Sequence, residues 1–281
     1  MKRILLLLAV GSVSFLTSFA QNKLSNPEMY TDHNKGKFFL FWGGNRDYYT
    51  NSDIRFKGAD YDFTIYDVEA VDKPKGWHID YINPLRMTIP QTNVHLGYFV
   101  SDHYYISAGV DHMKYVMKQD QTVRMNGYIN NSGTAHDGVY NNAEKVLTED
   151  FLTFEHTDGL NYVVLEGARV DDISRLFGIR NTDAFQVQLT EGLGFGMVYP
   201  RSNTKLLKKE RYDEFHIAGV GVNAKAGLHL TFLKHLLIVG ELKGGYINMY
   251  DVRTTYSIAD KAQHDFFFFE TVLGIGWTWR F

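Results

Sequence analysis

The sequence predicts an all-β protein: an antiparallel transmembrane β-barrel of eight strands with long extracellular loops. Three observations carry that expectation. The carboxyl end alternates, with Phe267, Phe269, Thr271, Leu273, Ile275, Trp277, Trp279 and Phe281 on one face. Glu270, Gly274, Gly276, Thr278 and Arg280 share the other. A period of two with one apolar face and one polar or tiny face is the pattern of a strand. Mean hydropathy is -0.25, and beyond the first 20 residues no stretch approaches the ~20 apolar residues of a membrane helix. A barrel strand escapes such a search because only alternate residues touch lipid. Finally, 18 Tyr, 20 Phe and 4 Trp bring the aromatic share to 15%, which two interfacial girdles would use.

The amino terminus reads as an export signal. Lys2 and Arg3 precede an apolar run from Ile4 to Leu16, and Ser18 and Ala20 stand three and one before Gln21. That order of charge, hydrophobicity and small residues marks a cleavable secretory signal. Residues 1–20 are therefore expected to be removed, 21–36 to form an amino-terminal periplasmic segment, and 37–281 to form the barrel. The chain has no cysteine, which excludes disulfides, thiolate metal sites and a lipidated amino terminus. A net charge of -3 gives no reason to expect a nucleic-acid partner.

Further strands follow from the same alternation. Ala184–Tyr199 sets Phe185, Val187, Leu189, Leu193, Phe195 and Met197 against Gln186, Gln188, Thr190, Gly192, Gly194 and Gly196. Phe215–Phe232 and Leu236–Val252 behave alike, and each exceeds the ~9–11 residues that a tilted membrane strand needs. Glu191 is a misfit on the apolar face, where a bulge or a local partner would have to accommodate it. Tight breaks at Leu233–His235 and Ser101–His103 read as periplasmic turns, and the longer polar breaks as outer loops. With the last strand descending, strands near 37–49, 104–118, 183–199 and 236–252 ascend. Those near 92–100, 156–170, 214–232 and 264–281 descend. Two long outer excursions remain, near 50–91 and 119–155. The first holds a strand-like run, Ile54–Val71, which is an extension above the membrane or, in a ten-strand alternative, a further membrane pair. The connection Asp171–Asp183 is long for a periplasmic turn.

The inward face names a polar lumen. Asp111, Glu166, Glu241 and Glu270 face Lys225, Lys243 and Arg280 there, with Asn93, His95, Ser107, Gln186, Gln188 and His229 among them. Buried charges need partners, so a salt-bridge plug is expected ahead of a porin-like small-solute channel. Inward glycines, Gly97 and Gly109 among them, would let other side chains cross a narrow interior.

Chemistry-bearing motifs are few. Gly192, Gly194 and Gly196 lie on a strand at uniform spacing and precede no helix, so they do not make a dinucleotide fingerprint. His112 and Lys114 continue an outward face, where Lys114 would snorkel toward phosphates. His33, His136 and His264 beside Asp32, Asp137 and Asp265 lack metal spacing and read as loop residues, so no metal is expected. His156 and Asp158 stand where the second excursion re-enters the barrel, a place for a general base or a calcium ligand.

Three resemblances add to this. The amphipathic last strand ending in Trp277, Trp279 and Phe281 resembles the carboxyl-terminal insertion signal of bacterial outer-membrane barrels, which implies the barrel-assembly machinery as a partner. The stretch EHTDGLNYV, with His156 followed by Thr157 and Asp158, faintly resembles the His-x-Ser-Asn-Gly pattern of outer-membrane lipid A deacylases. Thr157 and Asp158 depart from that pattern and leave it without its serine. The runs FWGGNRDYYTNSDIRFKGADYDFTIYDVEA and TIPQTNVHLGYFVSDHYYISAGVDHMKYVM resemble uncharacterised outer-membrane proteins of Bacteroidota-type bacteria, which implies fold and compartment but no activity. The expected function is non-enzymatic: an outer-membrane barrel that binds or stabilises envelope components, such as outer-membrane lipids and lipopolysaccharide, through its outer loops. Loop-one aromatics (Tyr61, Phe63, Tyr66, Trp77, Tyr81) would supply the contact surface. No cofactor is expected, calcium entering only with a lipid-hydrolase alternative.

Overall fold

The computed structural model describes residues 33–74 and 91–281. The expected signal peptide, most of the expected amino-terminal segment, Trp77 and Tyr81 fall outside the described residues. In chain order the strands are β1 (Phe38–Tyr49), β2 (Ser52–Lys57), β3 (Tyr61–Val68), β4 (Ala70–Val71), β5 (Thr92–Phe99), β6 (Tyr104–Met117) and β7 (Thr122–Ile129). There follow β8 (Gly138–Val146), β9 (Leu152–Asp172), β10 (Phe185–Pro200), β11 (Asn203–Leu206), β12 (Gly219–Phe232), β13 (Leu236–Arg253) and β14 (Lys261–Trp279). Eight of them close a ring in the order β1-β5-β6-β9-β10-β12-β13-β14, and β14 returns to β1. Every pairing round the ring is antiparallel.

The register fixes the barrel's dimensions. From Phe38 the paired residues run through Tyr98, Ile106, Gly167, Leu193, Ala224, Gly244 and Phe269 and return to β1 at Tyr48. The offset is 48 minus 38, or ten residues. Eight strands with a shear of ten tilt by about 40° and enclose a backbone cylinder of roughly 8 Å radius. Such an interior holds side chains and little else. A β-carbon on Gly97 would fall inside the Phe39 ring, and one on Gly109 would overlap His95. Both glycines give an inward ring its space.

The sheet is inside out. On its outer face Leu165, Leu193 and Leu273 are 69%, 70% and 67% exposed. On its inner face Asp111, Glu166, Lys225, Glu241, Lys243 and Glu270 are buried. Aromatic rings border the apolar band. Phe38 packs on Tyr98 and Trp279 and Phe185 on Phe232 at the short-turn end, with Tyr48 near Phe269 and Tyr246 near Phe267 toward the long loops. A closed sheet with an apolar exterior and a polar interior is the transmembrane barrel arrangement. Glu191 needs no bulge: the β9–β10 register is continuous there and sets Arg169 directly opposite it. Arg169 in turn pairs with Tyr104 at the short-turn border.

Several strands outrun the membrane. β9, β13 and β14 have 21, 18 and 19 residues, against the ~9–11 that suffice to cross. Because β14 continues past the end of β1, its free edge takes up β2, followed by β3, β7 and β8. The strand-like run of the first excursion is thus the extension above the barrel, and the ten-strand alternative does not hold. β4 joins β6, and β11 joins β9, at the same end. This distal sheet folds over its own apolar core, which includes Ile54, Phe56, Phe63, Met113, Tyr115, Met125, Phe151, Phe154, Phe266 and Phe268. Tyr61 and Phe63 are therefore interior residues, not the exposed contact surface expected of loop one.

Overpacking the lumen should be costly. A Gly97→Val variant must displace Phe39, and a loss of about 1–3 kcal/mol is expected, read as a lower urea midpoint for protein refolded into lipid vesicles.

Candidate functional site

The lumen is filled in three layers. The short-turn end is closed by Phe39, Phe41, Phe99, Tyr105, Val170, Leu237 and Val239, and the long-loop end by the distal core. Between them lies the polar network. Cross-strand register gathers it: Asn93 faces Asp111, Glu166 faces Ser107, and Lys243 stands between Lys225 and Glu270.

Like charges directly across a strand pair repel; Lys225 and Lys243 are bridged by Glu166, which contacts both, and each has a further acid of its own. The Lys225 ammonium lies 2.5 Å from Glu166 and 3.2 Å from Glu241, with His229 also 3.3 Å from Glu241. The Lys243 ammonium lies 2.7 Å from Asp111 and 3.3 Å from Glu166. His95 Nε2 is 2.7 Å from Asp111, and Asn93 donates to both Asp111 and Glu270. Asn45 donates to Asn93, and Gln91 extends the chain to Asp47 and Asp72. His95, Asp111 and Glu166 offer three metal-ligating atoms close together. The Lys243 ammonium already stands 2.7 Å, 3.3 Å and 3.4 Å from these side chains, so a cation of the protein's own fills that position.

Arg280 is not part of this network. It is exposed at the short-turn end, where its guanidinium donates to the carbonyls of His33 and Lys35. β14 ends at Trp279, so Arg280 lies past the barrel mouth even though its parity matches the inward face. Four mid-lumen acids thus meet two lysines. His95, His229 and Asn93 supply further contacts to these acids. Trp277 stacks on His235, Trp279 on Phe38, and Phe281 is exposed. Asn45, Asp47 and Gln91 were not among the residues named from the sequence. The first two share the parity of Phe39 and Phe41 on β1 and were within reach of that argument.

His156 and Asp158 do not form a site. His156 is buried in the distal core, and Asp158 is exposed. Between them the register slips: Met113 pairs with Leu160 but Tyr115 with His156, so β9 carries two extra residues. Gly159 takes a φ of 144 in this bulge, and Asp158 leaves the face that His156 occupies. His156 Nδ1 instead meets Ser202 Oγ at 2.8 Å, a serine from the β10–β11 connection that no sequence pattern links to His156. Both side chains are buried among Tyr115, Phe154 and His264, away from any lipid surface. His264 is likewise not a loop residue; it is buried on β14 and, among the described residues, neither ring nitrogen has a hydrogen-bond partner. His112 and Lys114 are also buried, with His112 Nδ1 2.6 Å from Asn161.

What the distal sheet leaves exposed is different. Tyr128 on β7 and Val139 on the edge strand β8 are exposed. With Gly127, Asn130, Tyr140 and Asn141 they line a shallow groove.

Two outcomes follow. Lys243→Met would remove the only lysine in contact with Asp111 among the described residues and one of the two on Glu166, and a loss of about 3–5 kcal/mol is expected from a broken buried pair, measured by guanidinium unfolding in detergent. The second concerns pH. His264 lies three residues beyond the girdle residue Phe267, on the long-loop side, and His156 stacks against it. Burial holds the His156 imidazole down to about 3 and pushes that of His264 well below its ordinary value. Both are neutral when folded, so their contribution is complete above pH 6.5 and is lost as the pH falls from there toward 3. Amide exchange across β2, β3 and β14 should accelerate over that window, and a His156→Phe/His264→Phe variant should not show the change.

No family model and no curated protein matches the chain. Among solved structures it is similar to the outer membrane protein OprG from Pseudomonas aeruginosa, with 9% identity, a TM-score of 0.39, and coverage of 89% of this chain and 98% of that one. It is also similar to the N-terminal β-barrel domain of Pseudomonas aeruginosa OprF, with 9% identity, a TM-score of 0.33, and coverage of 87% and 98%. Ail, the attachment invasion locus protein of Yersinia pestis, has 11% identity, a TM-score of 0.31, and coverage of 87% and 99%.

Proposed function

We propose that this chain is an integral outer-membrane barrel, non-enzymatic and non-conducting, that binds or stabilises envelope components at its extracellular face. The observation that carries this reading is the pairing of a filled lumen with a rigid distal sheet. Buried side chains occupy the lumen from the short-turn cluster through the charge network to the distal core. One enclosed space at the short-turn end, of about 10 Å³ and lined by Lys37, Gln186, Gln188 and His229, is the size of a single water. Meanwhile β2, β3, β7 and β8 build a packed platform on the side of the long loops, where a purely structural barrel would need only short connections.

Lipopolysaccharide and outer-membrane lipids are the partners this geometry suits, with contact through the β7–β8 groove in place of the loop-one aromatics. Export by the amino-terminal signal and insertion by the assembly machinery belong to the same proposal. A hydrolase would gain a serine from the Ser202–His156 contact, but an acyl carbonyl has no approach to a pair sealed in an apolar core. Calcium would serve no purpose there.

Planar-bilayer recording from the purified protein should show no single-channel conductance; discrete channel openings would overturn the plugged-barrel part. Exchanging Tyr128 and Val139 for Ser should weaken binding to lipopolysaccharide-bearing vesicles by about fivefold or more without moving the unfolding midpoint. Undiminished binding would remove the groove from the proposal. Lipid mass profiles of a His156→Ala strain should match those of the parent.

A further inference from the structure

The connection between β9 and β10 is the one short-turn connection whose length the barrel does not require. β5–β6 and β12–β13 turn within Ser101–His103 and Leu233–His235, whereas β9 and β10 are joined by 173–184. This connection is ordered. Ser174–Phe177 forms a 3₁₀ turn that Gly178 ends with φ 70. Ser174 Oγ receives the Val187 amide and returns a hydrogen bond to the Val187 carbonyl, and Ile173 N–H donates to the same carbonyl. The turn therefore lies against the foot of β10. Val187 points outward but is only 6% exposed there, while Leu193 on the same face is 70% exposed.

The turn's own side chains are the opposite of what a water-facing connection would carry. Leu176 is 80% and Phe177 63% exposed. Leu233, exposed on the neighbouring turn, donates its amide to Ala184 at the far end of the same connection. The connection runs straight into the lipid-facing band at Phe185, whose ring stacks on that of Phe232. The nearby acids are already engaged: Asp171 with Arg169, Asp183 with Lys234, and Asp172 with Gln186 and the Ser174 amide. Arg175 and Arg180 are exposed and, among the described residues, have no acidic partner. Two spare guanidinium groups beside an exposed Leu-Phe pair make an amphipathic interfacial anchor.

We infer that this turn binds anionic phospholipid headgroups in the leaflet at the short-turn end, with Leu176 and Phe177 sunk to the glycerol level and Arg175 and Arg180 on the phosphates. Arginine suits that role because its planar donors take a phosphate in pairs. The inference rests on the membrane-barrel reading and goes beyond it by assigning a lipid site and a lipid charge.

The chain has no cysteine, so single cysteines can carry spin labels without background. Phe177→Cys, Leu193→Cys and Ile258→Cys would be labelled in vesicles of phosphatidylcholine and phosphatidylglycerol and compared for accessibility to oxygen and to a water-soluble nickel chelate. Position 193 should see oxygen alone, 258 on the exposed long-loop tip should see nickel, and 177 should favour oxygen at interfacial depth. In native mass spectrometry, Arg175→Ser/Arg180→Ser should weaken the preference for phosphatidylglycerol over phosphatidylcholine by about thirtyfold, at roughly fivefold per arginine. Nickel access at 177 equal to that at 258, with 193 protected, would sink the anchor and leave the barrel standing. Nickel access at 193 would sink the barrel reading itself, and the anchor with it. An unchanged lipid preference in the double variant would show that the arginines hold no headgroup.

Discussion

Closure of eight strands with a ten-residue shear is the constraint on which the rest depends. It sets a backbone radius of roughly 8 Å, and that radius decides what the inward face can be. A wider ring would admit water and need no internal partners. At this radius each inward side chain meets those of strands across the ring, so Lys243 on β13 reaches Asp111 on β6, and Lys225 on β12 reaches Glu166 on β9. Glycine becomes a packing element, since a ring such as Phe39 or His95 can cross only where its neighbour has no side chain.

The mid-lumen network is thus a consequence of inversion. An exterior given to hydrocarbon leaves the polar residues nowhere to go except inward, and inside they must satisfy one another. Buried ion pairs of this kind add little net stability compared with apolar packing, but breaking one is expensive. Their value here is register. A slip of one residue in β12 or β13 would put Lys225 or Lys243 into lipid, and one in β6, β9 or β14 would do the same to Asp111, Glu166 or Glu270, so the charges disfavour wrong pairings that a purely apolar lumen would tolerate.

The ring strands were legible because their two faces meet different solvents, and alternation records that difference residue by residue. Strands expected near 104–118 and 236–252 appear at Tyr104–Met117 and Leu236–Arg253, and Asp111, Glu166, Lys225, Glu241, Lys243 and Glu270 occupy the lumen as their parity requires. Parity failed where the strand itself departed from regularity or ended. Arg280 obeys the alternation yet lies beyond the last ladder pair, and Asp158 is turned away by a two-residue bulge that no local pattern announces. Tyr61 and Phe63 failed as contact residues for another reason: exposure is a property of what folds over a side chain, and the pairing of β2 with the free end of β14 joins residues some 200 positions apart.

The run Phe266–Phe269 shows both regimes in one strand. Phe267 and Phe269 point outward into the aromatic border, whereas Phe266 and Phe268 point inward, into the distal core. Four consecutive phenylalanines look like a break in the alternation, and in the membrane-spanning part they would be one, since Glu270 and Lys243 hold the inner face polar just below. At this level the inner face changes its neighbour from the charge network to an apolar core while the outer face is still in lipid, so both faces are apolar at once. The loss of alternation along β14 therefore marks the height at which the barrel stops being a plugged ring and becomes the foundation of the distal sheet. It also explains why a core buried there needs neutral histidines: His156 and His264 sit past that boundary, buried among aromatic rings and, among the described residues, in no ion pair with a carboxylate.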